Sequence, residues 1–182
     1  MRPEGVAQGR RILPDFSSQF LVLVAGLLIV LIEAALAEWG FFYAAAPMLA
    51  LCFIAWFVLM NPGHLPVFSI LAMALFAEFL GLDELGVRVV CWLIAWQAFG
   101  WRRNGEQEPD FLSLWSFFAG LSLLLSVFRL LIYFIDRLSL PDLSALAVQT
   151  GFTIFLFPVI FVLLYWTGFV WERWTAVFTV KR

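Results

Sequence analysis

Six times the chain returns to an apolar run of about the length needed to cross a lipid bilayer, and only short polar stretches separate the runs. A helix crosses the hydrocarbon core with ~20 predominantly apolar residues. The first run, Phe16 to Ala37, contains one charge, Glu33. With 64% hydrophobic and 13% charged residues in 182, the chain departs far from the ~45–50% and ~25% of soluble domains. A soluble fold of this size could not hide so much apolar surface, so lipid has to act as part of its solvent. The sequence therefore predicts an all-α polytopic membrane protein, a bundle of six transmembrane helices forming a single domain over residues 1–182.

The expected spans are about 16–37, 42–60, 65–82, 86–101, 111–135 and 143–169, with polar tails at 1–15 and 170–182. Phe20 to Ala37 is longer than the ~7–15 apolar residues of a cleaved signal, and further apolar segments follow it. Pro47 falls near the start of the second expected span and Pro66 in the first turn of the third, where a missing N–H costs least. Asn61-Pro62-Gly63-His64 has the composition of a turn, and the charged stretch from Ala77 to Arg88 looks like the turn between two membrane helices. The span at 86–101 is short, which implies tilt or local thinning of the bilayer. Arg102 to Asp110 and Asp136 to Asp142 are expected as loops, and Pro158 should interrupt the hydrogen-bond ladder of the last helix.

Six spans put both termini on one side. With the termini inside, the inner segments hold Arg2, Arg10, Arg11, Arg102, Arg103, Arg173, Lys181 and Arg182, and the outer segments hold Arg88 and Arg137. Lys and Arg favour cytoplasmic segments, so this bias predicts cytoplasmic N- and C-termini.

That orientation brings four charges to one level. Glu33, Glu78 and Arg129 come late in outward-running helices, and Arg88 comes early in an inward-running one. At ~1.5 Å per residue all four belong to the outer half of the bilayer. A charge at the bilayer centre costs about 2.5–3.5 kcal/mol on insertion scales and usually faces the protein interior. A structural cluster in which Glu33 and Glu78 pair with Arg88 and Arg129 is the favoured reading, because an arginine fork can engage two acceptors. Snorkelling to the headgroups and a ligand or proton site are the alternatives. Small residues offer two faces for close approach of a partner helix, Ser69 with Ala72 and Ser116 with Gly120; internal packing is the commoner use of such residues.

Little else in the chain carries chemistry. His64 is the one histidine and lacks companions for a usual metal or catalytic site. Cys52 and Cys91 lie in apolar segments and read as packing residues. No Gly-rich phosphate loop or nucleophile–base pair is legible, and no basic face suits nucleic acid. Catalytic, cofactor and metal sites are therefore expected to be absent. An internal repeat, which would favour a transporter, is not apparent.

One block does carry a resemblance. Pro47 opens the second apolar run, Trp56 follows, and Pro62 lies in the next turn. Glu78 comes late in the third run, and Leu85-Gly86-Val87-Arg88 closes the block. This spacing resembles the bacterial rod shape-determining protein MreD family, with a weaker echo in Phe157-Pro158-Val159-Ile160-Phe161. The family pattern leads one to expect aspartate where Glu78 stands. The resemblance implies a non-enzymatic, multi-pass protein of the bacterial inner membrane that acts in cell elongation. Its partners would be an MreC-like bitopic periplasmic protein and, through it, the peptidoglycan synthase complex. The family's fold is thought similar to the substrate-capture subunits of energy-coupling-factor transporters, so a solute-binding membrane subunit is the alternative function.

Overall fold

The structure, a computed structural model, describes residues 16–39, 46–61, 63–82, 86–105, 110–137 and 143–179. The expected tail at 1–15, residues 42–45 of the second expected span, and residues 62, 83–85, 106–109, 138–142 and 180–182 lie outside them. The described residues form six α-helices and no strands: α1 (Phe16–Glu38), α2 (Leu49–Met60), α3 (Val67–Phe79), α4 (Val87–Gly105), α5 (Phe111–Arg137) and α6 (Leu143–Thr179). Three stretches are long and apolar enough to cross a membrane: Phe16–Glu38, Phe111–Asp136 and Leu143–Trp166.

Several boundaries differ from expectation. α2 has 12 residues, about 18 Å of helix at ~1.5 Å per residue, because Ala46, Pro47 and Met48 are not helical. Pro47 therefore precedes the helix instead of lying inside it near its start. α3 has 13 residues and is also shorter than a bilayer core. α4 runs on to Gly105, so Arg102 and Arg103 lie on a helix, not in a loop. α6 continues through Pro158 to Thr179, so residues 170–179 extend the helix and do not begin a tail.

α2 is the central element. Its sequence, LALCFIAWFVLM, is apolar all round, and a helix of that kind requires burial on every side. Residues 50–56 are all buried, and α2 packs against α1, α4 and α6. α1 packs on α3 at Gly26, where an added Cβ would lie 2.4 Å from Met73 Sδ. An aromatic stack ties the other helices together: Phe118 of α5 stacks on Phe157 of α6 at 4.0 Å and on Phe99 of α4 at 6.2 Å between centroids. Exposed apolar side chains such as Phe20, Leu28, Leu124, Leu131 and Phe155 cover the outer faces of α1, α5 and α6. Such faces are compatible with association with a lipid bilayer.

Hydrogen bonds at the two ends of the bundle show how the helices run. At one end Gln19 reaches the Gly63 carbonyl at 3.2 Å, Arg103 reaches that of Val58 at 3.3 Å, and Arg102 bonds Ser113. At the other, Glu33 meets Ala50 and Arg88, and Arg129 meets Gln149. Successive helices thus alternate in direction, and α2 and α4 run parallel.

Apolar surroundings make every unpaired backbone group expensive, and the prolines create such groups. Pro158 has no N–H for the Ile154 carbonyl one turn back. Trp115 Nε1 of α5 donates to that carbonyl at 3.1 Å. The Val58 carbonyl faces a similar shortage, because it lies in the last turn of α2, beyond which no intrahelical N–H follows. Arg103 Nη1 of α4 supplies the donor there.

Candidate functional site

Helices α2 and α4 both begin without a capping side chain of their own. α2 follows Met48, which makes no side-chain cap, and α4 follows Gly86, at φ 87°. The first N–H groups of a helix need acceptors from elsewhere. In each case a carboxylate late in the preceding helix provides one. Glu33 Oε2 of α1 accepts the Ala50 N–H at 3.1 Å. Glu78 Oε1 of α3 accepts the Val89 N–H at 3.1 Å. A carboxylate at a helix N-terminus is also favoured by the aligned peptide dipoles.

The non-helical residues before α2 are held from α6, across more than one hundred positions of sequence. Met48 N–H donates to Thr153 Oγ1 at 3.0 Å, and the Ala46 carbonyl accepts from Gln149 Nε2 at 2.9 Å. Irregular backbone among apolar helices is tolerated where protein groups satisfy it in this way. Thr153 in turn donates to the Gln149 carbonyl of its own helix at 2.8 Å.

Of the four charges expected at one level, two are in direct contact. Arg88 Nη1 lies 2.6 Å from Glu33 Oε1, and the two side chains are 3% and 1% exposed. Both oxygens of Glu33 are thus engaged, one by a guanidinium and one by a helix N-terminus. Arg88 also lies over the Trp92 ring at 5.4 Å, a favourable place for a cation. Glu78 is also buried, but its hydrogen bond is to backbone, and its Oε2 has no hydrogen-bond partner among the described residues. Arg129 is buried at the same end; its Nη1 donates to Gln149 Oε1 at 3.2 Å and lies 3.8 Å from Met48 Sδ.

Gly81, at φ 75°, closes α3: its N–H reaches the Glu78 carbonyl at 2.9 Å, and Leu82 N–H reaches that of Ala77 at 3.2 Å. This pair of bonds is the Schellman arrangement, which favours glycine at the left-handed position.

Beside these contacts lies a cavity of about 680 Å³, lined by Glu33, Glu38, Arg88, Arg129, Tyr133 and Gln149 among others. It opens where α1, α3 and α5 end and α6 begins. Glu33, Arg88 and Arg129 therefore share one cavity wall, and Glu78 lies outside it.

The proposed partner-helix faces are placed differently from each other. Ser69 is 3% exposed and packs within the bundle; Ala72 is half-buried. Ser116 and Gly120 are exposed on α5, and nothing lies within 4 Å of a Cβ built on Gly120. Ser116 donates to the Ser113 carbonyl one turn back, at 3.0 Å. Sequence reasoning missed Gln149, Thr153, Arg103 and Trp115. Polar Gln149, Thr150 and Thr153 on one side of an otherwise apolar helix were the available signal.

Compared with protein-family models, curated proteins and solved structures, the chain has no match.

Proposed function

We propose that the chain is a non-enzymatic, multi-pass component of the bacterial cell-elongation machinery in the inner membrane. In this reading all six helices cross or enter the bilayer, and both termini are cytoplasmic. An MreC-like bitopic periplasmic protein docks on it and links it to the peptidoglycan synthases. The observation that carries the reading is the spacing of Pro47, Trp56, Pro62, Glu78 and Leu85-Gly86-Val87-Arg88. Its support from the fold is that Pro47, Glu78 and Arg88 stand at joints: before α2, on the start of α4, and on Glu33. The alternating helix directions agree with the Lys/Arg bias. The exposed Ser116 and Gly120 on α5 suit close approach by a partner's transmembrane helix.

The test is co-purification after mild detergent extraction from the native host, with depletion of the protein in growing cells. Recovery of a bitopic periplasmic partner, and rounding of depleted cells, are the expected outcomes. Cells that keep their shape, with no such partner recovered, would refute the reading. The cavity beside Arg88 and Arg129 favours a second reading, a solute-binding membrane subunit.

A further inference from the structure

We infer that the cavity at the α1–α6 end binds an amphiphile with a phosphate-type anionic head, the head lying against Arg129 and Arg88. The inference goes beyond the elongation reading and rests on the cavity alone. At about 680 Å³ the space falls within the roughly 300–1,000 Å³ of small-molecule sites. Its walls combine the two features such a ligand needs. Guanidinium groups arrive from α4 and α5, with the Gln149 amide and the Tyr133 side chain beside them. Guanidinium forks bind phosphate oxygens well. Leu31, Leu146 and the alanines at 34, 35, 37 and 145 make the rest of the wall apolar and keep it open.

The carboxylates do not argue for a cation instead. Glu33 gives one oxygen to Arg88 and the other to the Ala50 N–H, so both of its oxygens are already engaged by donors. Glu38 stands exposed at the end of α1. The start of α2 is not itself the anion site, because Met48 and Ala50 N–H groups are taken by Thr153 and Glu33. The ligand is therefore held by side chains, and Arg129 is the residue whose change reports on it most cleanly, since Arg88 also holds Glu33.

The head could belong to a bilayer lipid or to a soluble organic phosphate, and one experiment separates them. Full-length protein in neutral maltoside detergent is unfolded thermally with dioleoylphosphatidylglycerol, with dioleoylphosphatidylcholine, or with glycerol 3-phosphate. At roughly ten times the dissociation constant, a specific ligand should raise Tm by about 3–6 °C. A rise with phosphatidylglycerol alone assigns the site to a lipid; a rise with glycerol phosphate as well assigns it to the head, free or lipid-borne. In either case Arg129→Gln should abolish the rise and Arg129→Lys should keep part of it. Ala145→Trp, which fills the cavity without touching its charges, should also abolish it and serves if Arg129→Gln does not fold. No rise with either anion, an equal rise with phosphatidylcholine, or a rise that survives both Arg129→Gln and Ala145→Trp would overturn the inference. No partner protein is present in this assay, so its failure is distinct from failure of the elongation reading.

Discussion

Glu33 and Glu78 are both buried carboxylates that cap a neighbouring helix, yet they do not carry the same weight. Glu33 also balances Arg88, so Glu33→Leu leaves a buried guanidinium without its 2.6 Å partner and an N–H without an acceptor. Loss of one member of a buried pair costs about 3–5 kcal/mol. Glu78→Leu removes one cap, worth about 0.5–2 kcal/mol, and also removes the carboxylate oxygen that has no partner. Thermal unfolding in detergent should therefore rank Glu33→Leu well below Glu78→Leu, and equal losses would contradict these roles. The sequence made Glu33 and Arg88 legible, because charges are too expensive in apolar runs to stand alone. It did not reveal which acid meets which base. That choice depends on which helix ends meet in the folded bundle: Glu33 of α1 reaches Arg88, and Glu78 of α3 reaches the Val89 N–H.

At the scale of elements, the prolines explain contacts that otherwise look incidental. Trp115 donates to the Ile154 carbonyl that Pro158 leaves without an intrahelical partner. Trp115→Phe should cost about 1 kcal/mol through that lost bond. Pro158→Ala in the same background should recover part of the loss, because alanine restores the N–H. A double variant no better than Trp115→Phe would show that the bond is incidental. The α1–α3 contact makes a separate demand. Gly26→Leu should cost about 1–3 kcal/mol by overpacking, because the larger side chain needs the space of Met73, which is fully buried. Stability unchanged in the unfolding assay would be inconsistent with this packing. The existence of the helices followed from apolar runs, but the true start of α2 did not. Pro47 could have opened a helix; it precedes one because Thr153, Gln149 and Glu33 hold the backbone around it. Those partners are distant in sequence, and no local pattern announces them. The same holds for the last turn of α4, where Arg103 is drawn to the end of α2.

At the scale of the whole molecule, the parts describe a bundle built around one short, wholly apolar helix, fastened at both ends by side chains of its neighbours. Glu33 takes the N-terminal end of α2 and Arg103 the C-terminal end, each with the sign of charge that the helix dipole favours. α4 serves both joints, Arg88 through Glu33 and Arg103 directly. In a membrane the alternating helices place Trp39 and Phe111, both exposed, on opposite sides. With the termini cytoplasmic, as proposed, a membrane-impermeant maleimide should label Trp39→Cys in intact cells and Phe111→Cys only after permeabilisation, in a background where Cys52 and Cys91 are replaced by alanine; labelling of both from one side would contradict the arrangement, and the reverse pattern would contradict the proposed orientation. The joint on which the rest depends is the Glu33–Arg88 pair, and a double-mutant cycle on the full-length protein in detergent tests it most directly. Glu33→Gln and Arg88→Met should each lower stability, and the double variant should lose less than the sum by at least about 1 kcal/mol. Losses that simply add would mean that the two side chains do not hold this end of the bundle together.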